Sequence, residues 1–271
     1  MNELEAARRS HGRLESASAL RVDVMRLGPW FHNLHLPDGT ETAPRHLLGD
    51  FPAVKWRQIA PWVPADLEGC RALDIGCNAG FYSFELARRG ADVTAIDIEP
   101  RYLEQARWAT RQFGLEGRLR LRQGSVYELA GTGERFDLVC FLGVLYHLRH
   151  PLLALDVVHG LTRGRMILQT LTMPGEEVLA PPQSIELGER DLMRKPGWPH
   201  MAFIEERLEE DPTNWWAPNH ACVEALVRAA GFRVVGRPGH EIYLCEPDEH
   251  EPRLNAELRH AELATIFGGP R

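Results

Sequence analysis

The sequence predicts an α/β fold with a doubly wound, mostly parallel sheet, on three observations in its 271 residues. From Cys70 onward, short apolar runs alternate with helical stretches, the order of a parallel sheet with crossover helices. The first apolar run ends in Leu73-Asp74-Ile75 and passes directly into Gly76-Cys77-Asn78-Ala79-Gly80, a turn rich in residues that tolerate positive φ. The rhythm yields five parallel strands and a closing antiparallel pair. We therefore expect a seven-stranded Rossmann-like sheet with an N-terminal helical extension and an inserted cap.

Taken in order, residues 1–27 read as helix, with Leu4, Leu14, Leu20 and Val24 among charges. Residues 28–50 read as loop, and a short helix over 54–63 is broken by Pro61 and Pro64. Strands are expected at 70–75, 92–98, 119–123, 136–142 and 165–172. The helices between them fall at 81–89, 100–113 and 151–161, punctuated by Gly90, Pro100, Gly114 and Pro151. Six prolines and four aromatics interrupt the rhythm over 173–217, too long a stretch for an ordinary connection, so it reads as a cap. Asn219 is a plausible N-cap for a helix stopped by Gly231. Residues 232–235 and 241–245 form the closing pair, and 248–271 a partly helical tail. The expected organisation is an extension over 1–66, a cofactor-binding core over 67–172, a cap over 173–217 and sheet completion over 218–271.

Composition narrows the function classes. A hydrophobic share of 44% and a charged share of 25% suit a soluble globular protein. The formal net charge of −7 supplies no global basic field for nucleic acid. Five cysteines, odd in number and widely spaced, fit reduced thiols. No apolar run reaches the roughly 18 residues of a membrane span, and the N-terminus has no apolar leader core, so a cytoplasmic location is expected. His32, His35 and His46 lack metal-ligand spacing, and no metal is expected.

The turn points to a cofactor. Ligands of open parallel sheets bind past the carboxyl ends of the strands. An acid at Asp74 beside the turn would repel a pyrophosphate but attract the cationic methionine amine of S-adenosylmethionine, so D-x-G-x-N-x-G favours that cofactor over the nicotinamides, whose turn reads G-x-G-x-x-G. Gly76, Asn78, Gly80 and Phe81 form the cradle. Asp97, 17 residues after Gly80, is placed to accept the ribose hydroxyls, with Ile98 beside the adenine. Ser125 and Val126 follow strand three, and Leu142 and Gly143 end strand four beside the methionine portion. Tyr146 and His147 point toward the transferred methyl.

Lys55-Trp56-Arg57, the run from Leu73 to Gly80, Gly143-Val144-Leu145-Tyr146-His147 with Pro151-Leu152, and Gln169-Thr170-Leu171 together resemble class I methyltransferases of the tRNA wobble-uridine carboxymethyltransferase branch. The resemblance spans roughly residues 50–246. It implies that Lys55 and Trp56 reach the cofactor or substrate and that Tyr146 sits at the transferred group. Two positions depart from the branch. Trp30-Phe31-His32-Asn33 stands where it carries Arg-Lys-Gly-Pro, and His240-Glu241 where it carries an arginine. A glutamate there would repel a carboxymethyl group.

The expected activity is transfer of a plain methyl to an oxygen or nitrogen of a small molecule, sugar or natural-product-like. A tRNA wobble-uridine transferase and a non-catalytic S-adenosylmethionine binder are the alternatives. His147, then His32, would serve as base. Trp30, Phe31, Trp198, Trp215 and Trp216 would line the acceptor pocket. A homo-oligomer is compatible with this reading, and no membrane partner is expected.

Overall fold

The computed structural model describes residues 19–180, 182 and 184–268. The first helix, α1, is described over 19–27; the rest of the helix expected from residue 1 lies outside the described residues. Helix α2 (Phe51–Ile59) starts earlier than expected because Pro52 sits at its first turn, where a missing N–H costs nothing, and a single 3-10 turn over Ala60–Trp62 replaces its expected end. The remaining elements follow as β1 (Arg71–Ile75), α3 (Phe81–Arg88), β2 (Asp92–Asp97), α4 (Pro100–Phe113), β3 (Leu119–Gln123), β4 (Phe136–Leu142) and α5 (Pro151–Leu161). After them come β5 (Thr162–Gln169), β6 (Met201–Phe203), β7 (Trp216–Pro218), α6 (His220–Ala229), β8 (Phe232–Gly239), β9 (Ile242–Pro247) and α7 (Arg253–Phe267).

The main sheet runs β3-β2-β1-β4-β5-β9-β8, and β6 and β7 make a separate two-stranded ribbon. Pairs β1–β4, β4–β5 and β2–β3 are parallel; β5–β9 and β8–β9 are antiparallel. The strand order reverses at β1, the kind of position where open α/β sheets bind ligands.

Two strands differ from expectation for physical reasons. Strand β5 lies three residues earlier than read: Thr162 pairs with Phe136 as soon as α5 ends, and past Gln169 the chain leaves the ladder for Glu241. Strand β8 runs on through Gly236 and Pro238, which read as breakers. At an edge they are accommodated by register shifts on either side of Gly236.

The described residues form two compact units. In the first, Met1–Gly69 with Cys77–Gly124, Trp30 packs on Trp108 at 5.7 Å. Gln105 of α4 donates to the Leu27 and Pro29 carbonyls at 2.8 and 3.0 Å, holding the N-terminal segment. Arg89 donates to the Val63 carbonyl at 2.6 Å, closing the segment after α2. In the second, Cys70–Gly76 with Ser125–Arg271, the core is built on Phe136, Phe141, Phe232 and Tyr243. Strand β4 is buried along its length except at Asp137, as a strand covered on both faces must be.

Asn219 caps α6 by accepting the Cys222 N–H at 2.9 Å, and the same side chain bonds His200 N and the Trp198 carbonyl. Asn219→Ala is expected to lower stability by about 1–2 kcal/mol, read as a shift of the urea midpoint at unchanged slope.

Candidate functional site

The turn after β1 is held by its own backbone. Gly76 and Gly80 adopt φ of +69° and +92°, and Asn78, a non-glycine, adopts +51°. A Cβ on Gly76 would stand 2.3 Å from Val144 Cγ2, so only glycine fits there. Cys77 N–H donates to the Ile96 carbonyl at 3.0 Å, and Asn78 N–H to Asp97 Oδ2 at 2.8 Å. The other Asp97 oxygen accepts the Glu99 N–H at 2.9 Å. The Ile98 N–H adds a third backbone hydrogen bond to the same carboxylate. Burial pushes the Asp97 carboxyl up, and the amide hydrogen bonds oppose that rise. Ile98 beside it is 69% exposed, leaving an apolar surface uncovered.

In the same unit His32 is buried among Phe31, Phe51, Phe81 and Tyr82, with ring separations of 5.8–6.3 Å. Burial, then the charges of Lys55 and His46, pull its pKa down to about 3, so the ring is neutral, and its Nδ1 has no hydrogen-bond partner. Lys55 Nζ lies 5.7 Å over the Phe51 ring. Trp56 is turned under Arg89, 4.9 Å away. Trp30 donates its indole N–H to the Val24 carbonyl at 2.7 Å, so its polar atom serves the packing of the N-terminal segment.

In the second unit Asp74 is buried in β1; burial, then the charge of Asp74, raises the Cys140 thiol. Leu142 ends β4 and is followed by Gly143, on which Tyr146 Oη and Gln169 Oε1 converge; a Cβ there would lie 3.6 Å from both. Gln169 donates to Glu241 Oε2 at 3.1 Å, and Glu241 Oε1 accepts the Thr172 N–H at 2.8 Å. Burial, then the charges of Glu241 and Asp211, push the Tyr146 phenol up to about 12, so it remains a hydrogen-bond donor at neutral pH. His147 packs 4.2 Å from the Tyr146 ring; burial lowers its pKa, opposed by Asp211 and Thr213.

Trp215 N–H donates to the Tyr146 carbonyl at 2.9 Å, and Trp216 Nε1 to the Leu148 carbonyl at 3.0 Å. Phe203 stacks on Trp215 at 6.3 Å, with the Arg149 guanidinium 4.8 Å from the Trp215 ring. Both tryptophans therefore border Tyr146 and His147, whereas Trp198 sits at the entrance to α6 with its carbonyl bonded to Asn219. Ser125 caps a 3-10 turn over Val126–Leu129, its hydroxyl accepting the Tyr127 N–H, and Glu128 accepts the Ser125 N–H at 2.9 Å. Sequence reasoning missed Asp211 and Thr213; their Asp-Pro-Thr spacing signals an Asx turn but not its neighbour His147.

Among the described residues Glu176, His220 and His240 offer ligand-type atoms within 4.8 Å of one another. Arg237 Nη2 lies 2.9 Å from His220 Nδ1 and 3.1 Å from Glu176 Oε2. A guanidinium only donates, so Nδ1 accepts and the neutral ring carries its proton on Nε2, 3.4 Å from Glu176. The arrangement is an ion-pair clasp in which His220 has no lone pair left for a metal.

The chain matches the family model described as a methyltransferase domain over residues 66–251. It is 29% identical over 227 residues to the tRNA U34 carboxymethyltransferase of Azotobacter vinelandii (strain DJ / ATCC BAA-1303), covering 80% of this chain and 60% of that protein. It is 39% identical over 110 residues to the ubiquinone biosynthesis O-methyltransferase of Cereibacter sphaeroides (strain ATCC 17025 / ATH 2.4.3), covering 40% of this chain and 44% of that protein. The chain therefore spans less than two thirds of the length of these relatives. In fold it is similar to the N-terminal domain of EvdMO1, solved in the presence of SAH and D-fucose, with a TM-score of 0.56 and 19% identity over 86% of this chain and 96% of that one.

The buried His32 sets a pH dependence. Its folded pKa of about 3 lies below the ordinary 6.5, so the unfolded chain takes up the proton first. The stability it supports is full above pH 6.5 and lost as pH falls toward 3, at about 1.4 kcal/mol per unit. Between about pH 7.5 and 5.5 the wild type should lose about 1.4 kcal/mol more than His32→Gln in urea unfolding. Equal losses would contradict the buried neutral ring.

Proposed function

The chain belongs to the methyltransferase-domain family, and we propose that it is an S-adenosylmethionine-dependent enzyme that methylates an oxygen or nitrogen of a small molecule. The turn fits that cofactor. Asp97, held by backbone amides at the end of β2, is the proposed acceptor for the ribose hydroxyls, and Ile98 offers apolar surface for the adenine. The left-handed turn brings bare backbone forward at Gly76 and Gly80, and Asp74 supplies negative charge for the amine. Leu142 and Gly143 would flank the methionine portion; Lys55, Phe81, Ser125 and Val126 stay in the proposed cofactor set.

When bound, the cofactor supplies a methyl already activated on a sulfonium. The chain's own residues then align the acceptor and manage its proton, and alignment alone can be worth about 7–11 kcal/mol. Tyr146, held protonated, donates a hydrogen bond at the reacting end. His147, held neutral, accepts the acceptor's proton. The Phe203–Trp215 stack with Arg149 offers a face for the body of the acceptor, with Trp216 beside it. Phe31 and His32 in the first unit, and Trp215 and Trp216 in the second, stay proposed acceptor contacts.

The observation that carries a plain methyl and a small acceptor is Glu241. It is held by Gln169 and Thr172, and its charge reaches the Tyr146 phenol. A carboxylated methyl group would meet that charge at close range, where like charges repel. The net charge of −7 supports the same reading, because tRNA binding draws on many phosphate contacts. A tRNA wobble-uridine acceptor is the second reading, favoured by relatives of that name at 28–29% identity over 80% of the chain. Among the described residues no helix is long and apolar enough to cross a membrane.

Incubation with methyl-labelled S-adenosylmethionine and a cell extract separated into small-molecule and RNA fractions tests the proposal. Label should enter a low-mass acceptor and fall roughly 100-fold or more in His147→Ala with cofactor binding retained. Label entering tRNA would move the conclusion to the second reading.

A further inference from the structure

The hydrogen bonds around His147 decide which of its nitrogens carries the proton. Nδ1 lies 2.9 Å from Thr213 Oγ1 and 3.3 Å from the Thr213 carbonyl oxygen. The carbonyl can only accept. The threonine hydroxyl has already given its proton to Asp211 Oδ1, 2.6 Å away, so toward His147 it too accepts. Asp211 Oδ2, 3.9 Å from Nδ1, is a third acceptor on the same side. A nitrogen facing only acceptors carries the hydrogen, which leaves the lone pair on Nε2.

The segment that presents these acceptors is tightly made. Asp211 Oδ1 also accepts the Thr213 N–H at 2.7 Å, so carboxylate and hydroxyl are locked in one Asx turn. Leu208 and Asp211 exchange backbone hydrogen bonds at 3.1 and 3.4 Å around Glu209 and Glu210. Those two are consecutive non-glycine residues in the left-handed region, at φ of +53° and +60°. Such backbone is uncommon and concentrates where the chain must aim a functional group. Asn214 Nδ2 donates to the Leu208 carbonyl at 2.8 Å, closing the turn from the other side. Trp215 N–H then fastens its end to the Tyr146 carbonyl at 2.9 Å, one residue before His147.

We propose that Asp211 and Thr213 are positioning residues that hold His147 in its Nδ1–H form, so that Nε2 takes the proton of an acceptor hydroxyl. This rests on His147 as the base of the function proposed above, where a hydroxyl is the acceptor that calls for one. The proton passes from that hydroxyl to Nε2. The resulting imidazolium keeps its Nδ1–H on Thr213, with the Asp211 charge behind it. The side chain, 31% exposed, then releases the proton to water. The logic is that of a nucleophile–base–carboxylate triad with a hydroxyl interposed between base and carboxylate.

Long-range proton–nitrogen NMR of the histidine rings in the full chain tests this, with the His147 signals identified by their loss in His147→Gln. Above its titration midpoint the wild-type ring should show the Nδ1–H pattern. Thr213→Val, which removes the nearest acceptor, should bring in the Nε2–H form, and Thr213→Ser should not. The groups facing the ring are the Tyr146 phenol, the Thr213 hydroxyl and carbonyl, and the Asp211 carboxylate. Asp211 is the charged one that favours the imidazolium, so Asp211→Asn should move the His147 midpoint to lower pH. An Nε2–H ring in the wild type would overturn the proposal, and so would unchanged tautomer and titration in both Thr213→Val and Asp211→Asn. Once His147→Gln has identified the signals, the wild-type tautomer is read without a folded Thr213 or Asp211 variant. Neither cofactor nor acceptor enters the measurement, so a failure to bind S-adenosylmethionine would count against the function alone.

Discussion

Three left-handed residues within five, Gly76, Asn78 and Gly80, are the constraint on which the proposed cofactor site depends. The chain must reverse at the end of a buried strand without a side chain at Gly76, because Val144 already occupies the space. Reversal leaves the Cys77 and Asn78 amides to be satisfied, and the end of β2 does so with the Ile96 carbonyl and the Asp97 carboxylate. Asp97 therefore serves the fold and, in the proposed function, the ribose at once. A buried carboxylate unable to reach those amides would be costly, since burying charge without hydrogen bonds is strongly unfavourable. Anchored, it stays in place with acceptor capacity to spare.

Around the proposed reacting end the protein keeps its titratable groups uncharged by burial. Tyr146 is pushed up to about 12, and burial depresses His147. Each is then in the protonation state its proposed role needs, a donor phenol and a basic imidazole. Two neighbouring carboxylates are tied down by hydrogen bonds, Glu241 to Gln169 and Thr172, and Asp211 to Thr213. A cationic methyl donor suits negative surroundings, and a carboxylated one does not.

Much of the fold was legible because its signals are local. Helices α4 and α5 and strands β3 and β4 lie at the residues where Pro100, Gly114, Pro151 and the apolar runs place them. Strand β5 starts at Thr162, ahead of the strand expected from Arg165, because pairing with β4 draws Thr162 into the ladder. The positive φ at Asn78 was legible because turn chemistry is local. Asp211 and Thr213 were not, since they meet His147 from about 65 residues further on and hydrophobic periodicity carries no trace of such a meeting. The contact of Trp30 with Trp108, further apart still in sequence, leaves no such trace either.

The most direct test of the account is equilibrium binding, by calorimetry, of S-adenosylmethionine, its carboxylated counterpart and NAD to the wild type and to Asp97→Ala. The account predicts that plain S-adenosylmethionine binds the wild type tightest, that NAD does not compete, and that Asp97→Ala weakens binding by roughly 10- to 100-fold through lost charge-assisted hydrogen bonds. Tight NAD binding, or S-adenosylmethionine affinity indifferent to Asp97, would contradict it.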